Sequence, residues 1–266
     1  MSSHAPRSFT HPFHLVSPSP WPLLLSLFLF FLVSSFLILL SGSSSLPLFL
    51  SFLITVFLIL TWFGNVILEG TYIGFHTKRV VSGLRLSLVL FILSECFFFL
   101  SFFWAYLHFS LSPNIELGSL WPPLGICPLD FSTIPLLNTF VLLTSALTVT
   151  ISHSSLVSYS PYSSFFWLLI TVLLGIFFTL LQSYEYFLSS FTISDSSYGS
   201  SFYLATGFHG LHVIIGTLWL TVSLPRLLAG HYRPTRHFCL EGSIWYWHFV
   251  DVIWLCLYLV IYIWGT

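Results

Sequence analysis

Long apolar stretches, separated by short polar or Gly/Pro-rich breaks, set the pattern of this chain. A helix needs about 20 apolar residues to cross a bilayer core. By that rule the spans fall at about 21–40, 46–68, 80–109, 136–153, 163–187, 202–228 and 241–264. The breaks are Ser41-Gly42-Ser43-Ser44-Ser45, Glu69-Gly70, a loop at 110–135 interrupted by Pro113, Pro122, Pro123 and Pro128, and the polar stretch ending in Ser200-Ser201. The third stretch exceeds the bilayer thickness and must tilt or protrude. No internal repeat is visible. The pattern predicts an all-α integral membrane protein of seven transmembrane helices, a single domain over 1–266 in one compact bundle.

The basic residues test this topology. They are Arg7, Lys78, Arg79, Arg85, Arg226, Arg233 and Arg236. Seven spans put the N-terminal arm and the second–third and sixth–seventh connections on one side, and every basic residue falls there. The connections at 41–46, 110–135 and 188–201 carry none. The positive-inside rule then predicts an N-terminus on the inner side.

Composition agrees. The chain is 56% hydrophobic and 6% charged, against roughly a quarter charged in a soluble domain. Its 30 Phe, 12 Tyr and 10 Trp suit lipid contact and interfacial belts, and a net charge of −1 argues against a nucleic-acid partner. Cys96, Cys127, Cys239 and Cys256 show no CxxC and no regular spacing, so they read as small buried hydrophobes. The first 22 residues lack the pattern of a signal or transit peptide, so direct insertion without processing is expected.

Polar residues at membrane depth carry the candidate chemistry. A charge at a helix centre costs about 2.5–3.5 kcal/mol on insertion scales, so such groups face protein or water. Glu95 sits midway along the third span; a proton-transfer role, a hydrogen-bonded core acid and a lipid contact are all open. Glu241, Trp245, His248 and Asp251 follow i, i+4, i+7, i+10 and form a stripe expected to face neighbouring helices. Glu185 and Tyr184 are expected at the outer interface, where a charge is cheap. His209 and His212 point to one side of the sixth span, as metal or haem ligands or as hydrogen-bonded packing residues. Gly207, Gly210 and Thr217 line one face for close helix approach, with Gly216 and Trp219 beside the histidines. Packing is the reading adopted. At headgroup depth, Glu69 and His76 flank one connection, and Arg226 and His231 close the sixth span. Such groups fit a phospholipid phosphate and amine, or ordinary interfacial snorkelling.

Several stretches occur together in one order: His14-Leu-Val-Ser-Pro-Ser-Pro-Trp-Pro22, Phe91-Ile-Leu-Ser-Glu-Cys-Phe-Phe-Phe99, Phe103-Trp104-Ala105, Glu116-Leu-Gly118 and Trp121-Pro-Pro123. Pro135-Leu-Leu-Asn-Thr139, Phe178-Thr-Leu-Leu-Gln182, Phe191-Thr-Ile-Ser-Asp195, Ala205-Thr-Gly-Phe-His-Gly-Leu-His-Val-Ile-Ile-Gly216 and Trp245-Tyr-Trp-His-Phe-Val-Asp-Val252 follow. On these stretches the chain resembles the subunit III family of cytochrome c oxidase. The resemblance implies two helices set apart from five by a lipid-filled cleft, in the mitochondrial inner membrane with the N-terminus in the matrix. It implies direct packing on subunit I, with subunit II and lineage-specific small subunits as further partners. Haem and copper belong to partner subunits, and this chain carries no redox centre, metal or cofactor, only structural phospholipids. It implies a role in stabilising the catalytic subunit, proton uptake or oxygen access. By matching positions, Glu69, His76, Arg226 and His231 become the lipid-headgroup residues and Glu95 the buried acid near the cleft. Gly64, Asn65 and Leu68 depart from the resemblance, since the family commonly has charges in that segment.

Two other classes compete. A proton- or solute-coupled transporter would use Glu95, His248 and Asp251, yet repeats and interrupted helices are missing. A membrane metalloenzyme would need more histidine boxes than His209-Gly-Leu-His212 supplies. A retinal-type receptor needs a lysine within a span, and the single lysine, Lys78, lies beside a loop.

Overall fold

The computed structural model describes residues 11–115 and 118–265; Arg7 and Glu116, used above, lie outside them. Seven helices form: α1 (Trp21–Leu40), α2 (Leu46–Leu68), α3 (Lys78–Leu111), α4 (Ile134–Val157), α5 (Pro161–Leu188), α6 (Ser196–Leu228) and α7 (Phe238–Leu257). All seven are long and apolar enough to cross a membrane. No strand occurs among the described residues, only an isolated bridge between Arg233 and Arg236. Proline in the first turn marks the start of α1, α2, α4 and α5, where the missing N–H would go unpaired anyway. Two helices end in π-helical turns, Glu69–Ile73 after α2 and Tyr258–Ile263 after α7.

The chain divides into two compact units, one running to Leu84 and one from Arg85. In the first, α1 packs on α2. The buried positions are Ser35 on α1 and Ser51, Thr55 and Leu58 on α2, small residues of the kind that let membrane helices approach. Their hydroxyls are satisfied within their own helices, Ser35 donating to Phe31 O (2.6 Å) and Thr55 to Ser51 O (2.7 Å).

In the second unit, α4, α5, α6 and α7 close into a ring, each packed on two of the others. Trp247 and Trp254 of α7 stand fully buried inside it. Their indole N–H groups donate to Ser145 Oγ (2.9 Å) and Thr139 Oγ1 (3.0 Å) of α4. A Cβ added at Gly175 of α5 or Gly216 of α6 would lie 2.7 or 2.9 Å from the Trp247 ring. Phe178 of α5 and His209 of α6 pack on Trp254, with ring centroids 4.9 and 5.2 Å away. From α3, Phe99 packs on Phe249 and Tyr106 on Tyr198.

Three expectations change. Close helix approach occurs at Gly216 and Thr217, not at Gly207 or Gly210, because those two face away from the ring. The nearest atom to a Cβ at Gly207 is Tyr186 Oη at 4.0 Å, and nothing lies within 4 Å of one at Gly210. Cys96, Cys127 and Cys256 are exposed rather than buried. An apolar run in a membrane protein covers lipid-facing as well as core-facing positions. Glu185, expected where a charge meets water cheaply, is instead buried within the protein, where the π turn of α7 covers it with Tyr262.

Crowding at Gly216 and open space at Gly210 give a paired prediction. Both Gly→Ala changes gain up to about 1 kcal/mol of helix propensity, but overpacking at Gly216 costs about 1–3 kcal/mol. Gly216→Ala therefore lowers the thermal midpoint of the purified protein relative to Gly210→Ala. Equal midpoints would remove the close contact from the account.

Candidate functional site

The four candidate headgroup residues divide between the two units. In the first, α2 runs into the π turn, and Gly74 in a left-handed conformation (φ 77°) stops it. Phe75 N–H then returns to Glu69 O (3.1 Å). This reversal lays the His76 ring against Gly70, where an added Cβ would lie 2.7 Å from Nδ1. His14, which the sequence reasoning placed in a motif but not in a site, joins them. Its Nε2 lies 3.2 Å from Glu69 Oε2, and its ring stacks on Phe75 at 5.1 Å and stands 6.0 Å from His76. Burial pushes the His76 pKa below its ordinary 6.5; His14 adds to the shift and Glu69 opposes it.

In the second unit, α6 ends at Leu228 and the chain turns through Gly230 (φ 69°), with His231 N–H donating to Arg226 O (3.0 Å). Arg226 lies over the Tyr232 ring, its Cζ 4.7 Å from the centroid. The phenol is anchored in turn on Ser223 Oγ (3.4 Å). Arg226 Nε is buried with no hydrogen-bond partner among the described residues. A donor so placed on a permanently charged group suits an anionic oxygen supplied from outside the chain.

Glu95 and His212 come together. His212 Nδ1 lies 2.7 Å from Phe208 O and Nε2 2.9 Å from Glu95 Oε2. The carbonyl can only accept, so Nδ1 carries a proton, and one further proton is held between Nε2 and the carboxyl. Either placement leaves the pair neutral overall. Phe99 and Tyr246 flank the imidazole. A groove of about 390 Å³ opens beside it, lined by Phe91, Phe98, Phe208, Leu211, Trp219 and Tyr246. An almost wholly apolar channel with one acid–imidazole pair suits an acyl chain or a small apolar molecule.

His209 departs from the expected bonding to neighbouring helices. It is fully buried and neither ring nitrogen has a hydrogen-bond partner among the described residues; it packs between Phe178 and Trp254 instead. The stripe on α7 also fails to face helices along its length. It drifts by about 80° around the helix between Glu241 and Asp251, so Trp245 is exposed and His248 half-buried while Asp251 is buried. Glu241 pairs with Arg85 of α3 at 2.8 Å. His248 Nδ1 lies 3.8 Å from Asp251 Oδ2, and its Nε2 reaches Thr150 Oγ1 at 3.5 Å.

Other polar groups were missed. Tyr262 donates to Glu185 Oε1 at 2.5 Å. Asn138 is buried with no side-chain partner among the described residues, and Gln182 is buried beside Glu185, Tyr186 and Tyr262; both sat inside the stretches that carry the family resemblance, the one signal that pointed to them. His153 and His237 meet Nε2 to Nε2 at 3.1 Å, with His237 Nδ1 donating to Arg233 O (3.0 Å). Among the described residues, no group of three or more His, Cys, Asp or Glu side chains is placed to hold a metal ion.

The His76 shift makes one pH dependence testable. Its folded pKa is below the unfolded value, so the unfolded state binds the extra proton between the two. The neutral ring's contribution is complete above pH 6.5 and is lost as pH falls below that value. Hydrogen exchange of the segment around Glu69–His76, corrected for intrinsic rate, should accelerate on acidification, and His76→Gln should remove most of that change. An unchanged profile in His76→Gln would assign the dependence to His14 and Glu69.

The family model for cytochrome c oxidase subunit III matches residues 11–266. Curated relatives with the name cytochrome c oxidase subunit 3 cover nearly the whole chain. That of Emericella nidulans is 50% identical over 262 residues, 97% of each chain. That of Osphranter robustus is 50% identical over 257 residues, covering 97% of this chain and 98% of its own. That of Branchiostoma lanceolatum is 50% identical over 256 residues, covering 96% and 98%.

Proposed function

Because the chain belongs to the cytochrome c oxidase subunit III family, a respiratory-chain oxidoreductase complex, we propose that it acts there as an accessory subunit that binds structural phospholipid. In this reading it lies in the mitochondrial inner membrane with the N-terminus in the matrix. It packs directly on subunit I, with subunit II and lineage-specific small subunits nearby, while haem and copper sit on partner subunits. It stabilises the catalytic subunit and aids proton uptake or oxygen access.

The observation that carries the lipid reading is Arg226, whose buried Nε lacks a partner among the described residues at the end of a membrane helix. A phospholipid phosphate supplies the missing acceptor, and His231 is the neighbouring donor. Glu69 and His76 would serve a second headgroup, Glu69 facing the amine. Glu95, neutral as a pair with His212, makes the adjoining groove tolerable to acyl chains and to oxygen. The uncharged Gly64, Asn65 and Leu68 leave that segment without a charged lipid contact of its own. A transporter reading gains no support, since Asp251 and His248 differ in burial and neither is among the described residues lining the groove beside Glu95.

Replacing Arg226 and His231 by Ala should weaken retention of one phospholipid about tenfold, as expected for losing a charge-assisted hydrogen bond. Activity should then decay faster during turnover of the intact oxidase. Lipid phosphorus per haem and the rate of inactivation read the two effects. Unchanged lipid content would refute the headgroup assignment.

A further inference from the structure

The connection between α6 and α7 carries a second pair of cations, apart from Arg226. Arg233 N–H donates to Arg236 O (3.1 Å) and Arg236 N–H to Arg233 O (2.8 Å), so the two residues close a two-residue hairpin with Pro234 and Thr235 at its corners. Thr235 is not among the positive-φ residues, and Pro at the first corner presets its φ, which fits a type I turn. Directly opposed residues of such a hydrogen-bonded pair project their side chains to the same face, with Cα atoms about 5.5 Å apart. The hairpin thus roots two arginine side chains next to each other on one face, within reach of a shared anion. Its base is braced: Arg233 O also accepts from His237 Nδ1, and His237 touches His153 of α4.

Both arginines are exposed, and among the described residues neither meets a carboxylate. Their depth is constrained by chain length. Residues 229–237 join the end of one membrane helix to the start of the next, a connection short enough to keep the hairpin close to the membrane surface. A pair of planar cations held there matches a phosphodiester, whose anionic oxygens accept forked N–H donors.

We propose that the Arg233–Arg236 hairpin is an anionic-phospholipid clamp, separate from the site at Arg226 and His231. The ligand is a lipid phosphate lying in the headgroup plane, with both guanidiniums donating to it. Two like charges held on one face repel each other, and a shared anion removes that repulsion.

The test uses the assembled oxidase, stripped of loosely held lipid and titrated with phosphatidylglycerol under native mass spectrometry. Each single Arg→Gln change should weaken one binding event about fivefold and the double R233Q/R236Q about 25-fold, with rising salt producing the same loss. R233K/R236K should keep most of the affinity, which a folding defect would not allow. Binding unchanged in R233Q/R236Q would overturn the clamp. Loss of a neighbouring subunit with unchanged lipid binding would also overturn it, assigning the arginines to an acidic protein surface. Displacement of the lipid by inorganic phosphate, but not by chloride at equal ionic strength, would assign the pair to a free anion and overturn the lipid. Arg226→Ala run alongside separates this site from the earlier one, since each variant should empty only its own.

Discussion

Two indole rings hold the second unit together. Trp247 and Trp254 lie one heptad apart on α7, and each contacts three other helices. Water offers no help inside a bilayer, so helix association rests on close packing and on pairing polar groups across helices. Each tryptophan supplies both, with a large flat surface and one N–H that must find an acceptor. Ser145 and Thr139 supply the acceptors, and Gly175 and Gly216 make room for the rings. An interhelical hydrogen bond contributes only about 0.6 kcal/mol on average in such settings, so the specificity lies in satisfying shape and donor together. Neither tryptophan can turn outward without leaving a cavity and an unpaired donor.

Within the helices, most Ser and Thr hydroxyls among the described residues are satisfied locally. Ser and Thr side chains bond to carbonyls three or four residues back, as at Ser35, Thr55, Thr144, Thr179 and Thr221. A serine-rich sequence can therefore cross lipid without exposing unpaired donors. Against that background several groups without a hydrogen-bond partner among the described residues stand out, among them Arg226 Nε, Asn138, His209 and Asp251. Arg226 is the one among them in the last turn of its helix, which is why the proposed lipid reading rests on it and not on the others.

The helices were legible because twenty apolar residues have few other solutions, and the first two run over the expected 21–40 and 46–68. The ends were harder. Sequence placed the start of the sixth helix at Phe202, whereas α6 begins at Ser196, since Asp195 is held by Thr192 (2.7 Å to its N–H) and lets polar residues enter the helix. Of the site, the charged and imidazole residues were legible by type and depth, but not their partners. His209 and His212 looked equivalent from spacing; only the approach of α3 gives one of them a carboxylate. Glu185 was misjudged because its burial depends on a π turn in α7, which no local pattern announces. Motif order carried the family where single residues could not.

The distribution of burial also bears on how such a chain enters a membrane. α1 is the most apolar helix, and Ser35 is its single buried residue; α6 is the least apolar and hides glycines, histidines and hydroxyls. α1 can partition into lipid on its own merits. α6, with His209, His212 and several hydroxyls, gains its stability from neighbours that must already be present. Its polar face finds Glu95 on α3, made earlier, and the two tryptophans of α7, made later. The fold therefore closes from its last helix, and an insertion intermediate lacking α7 would hold α6 in the bilayer only weakly.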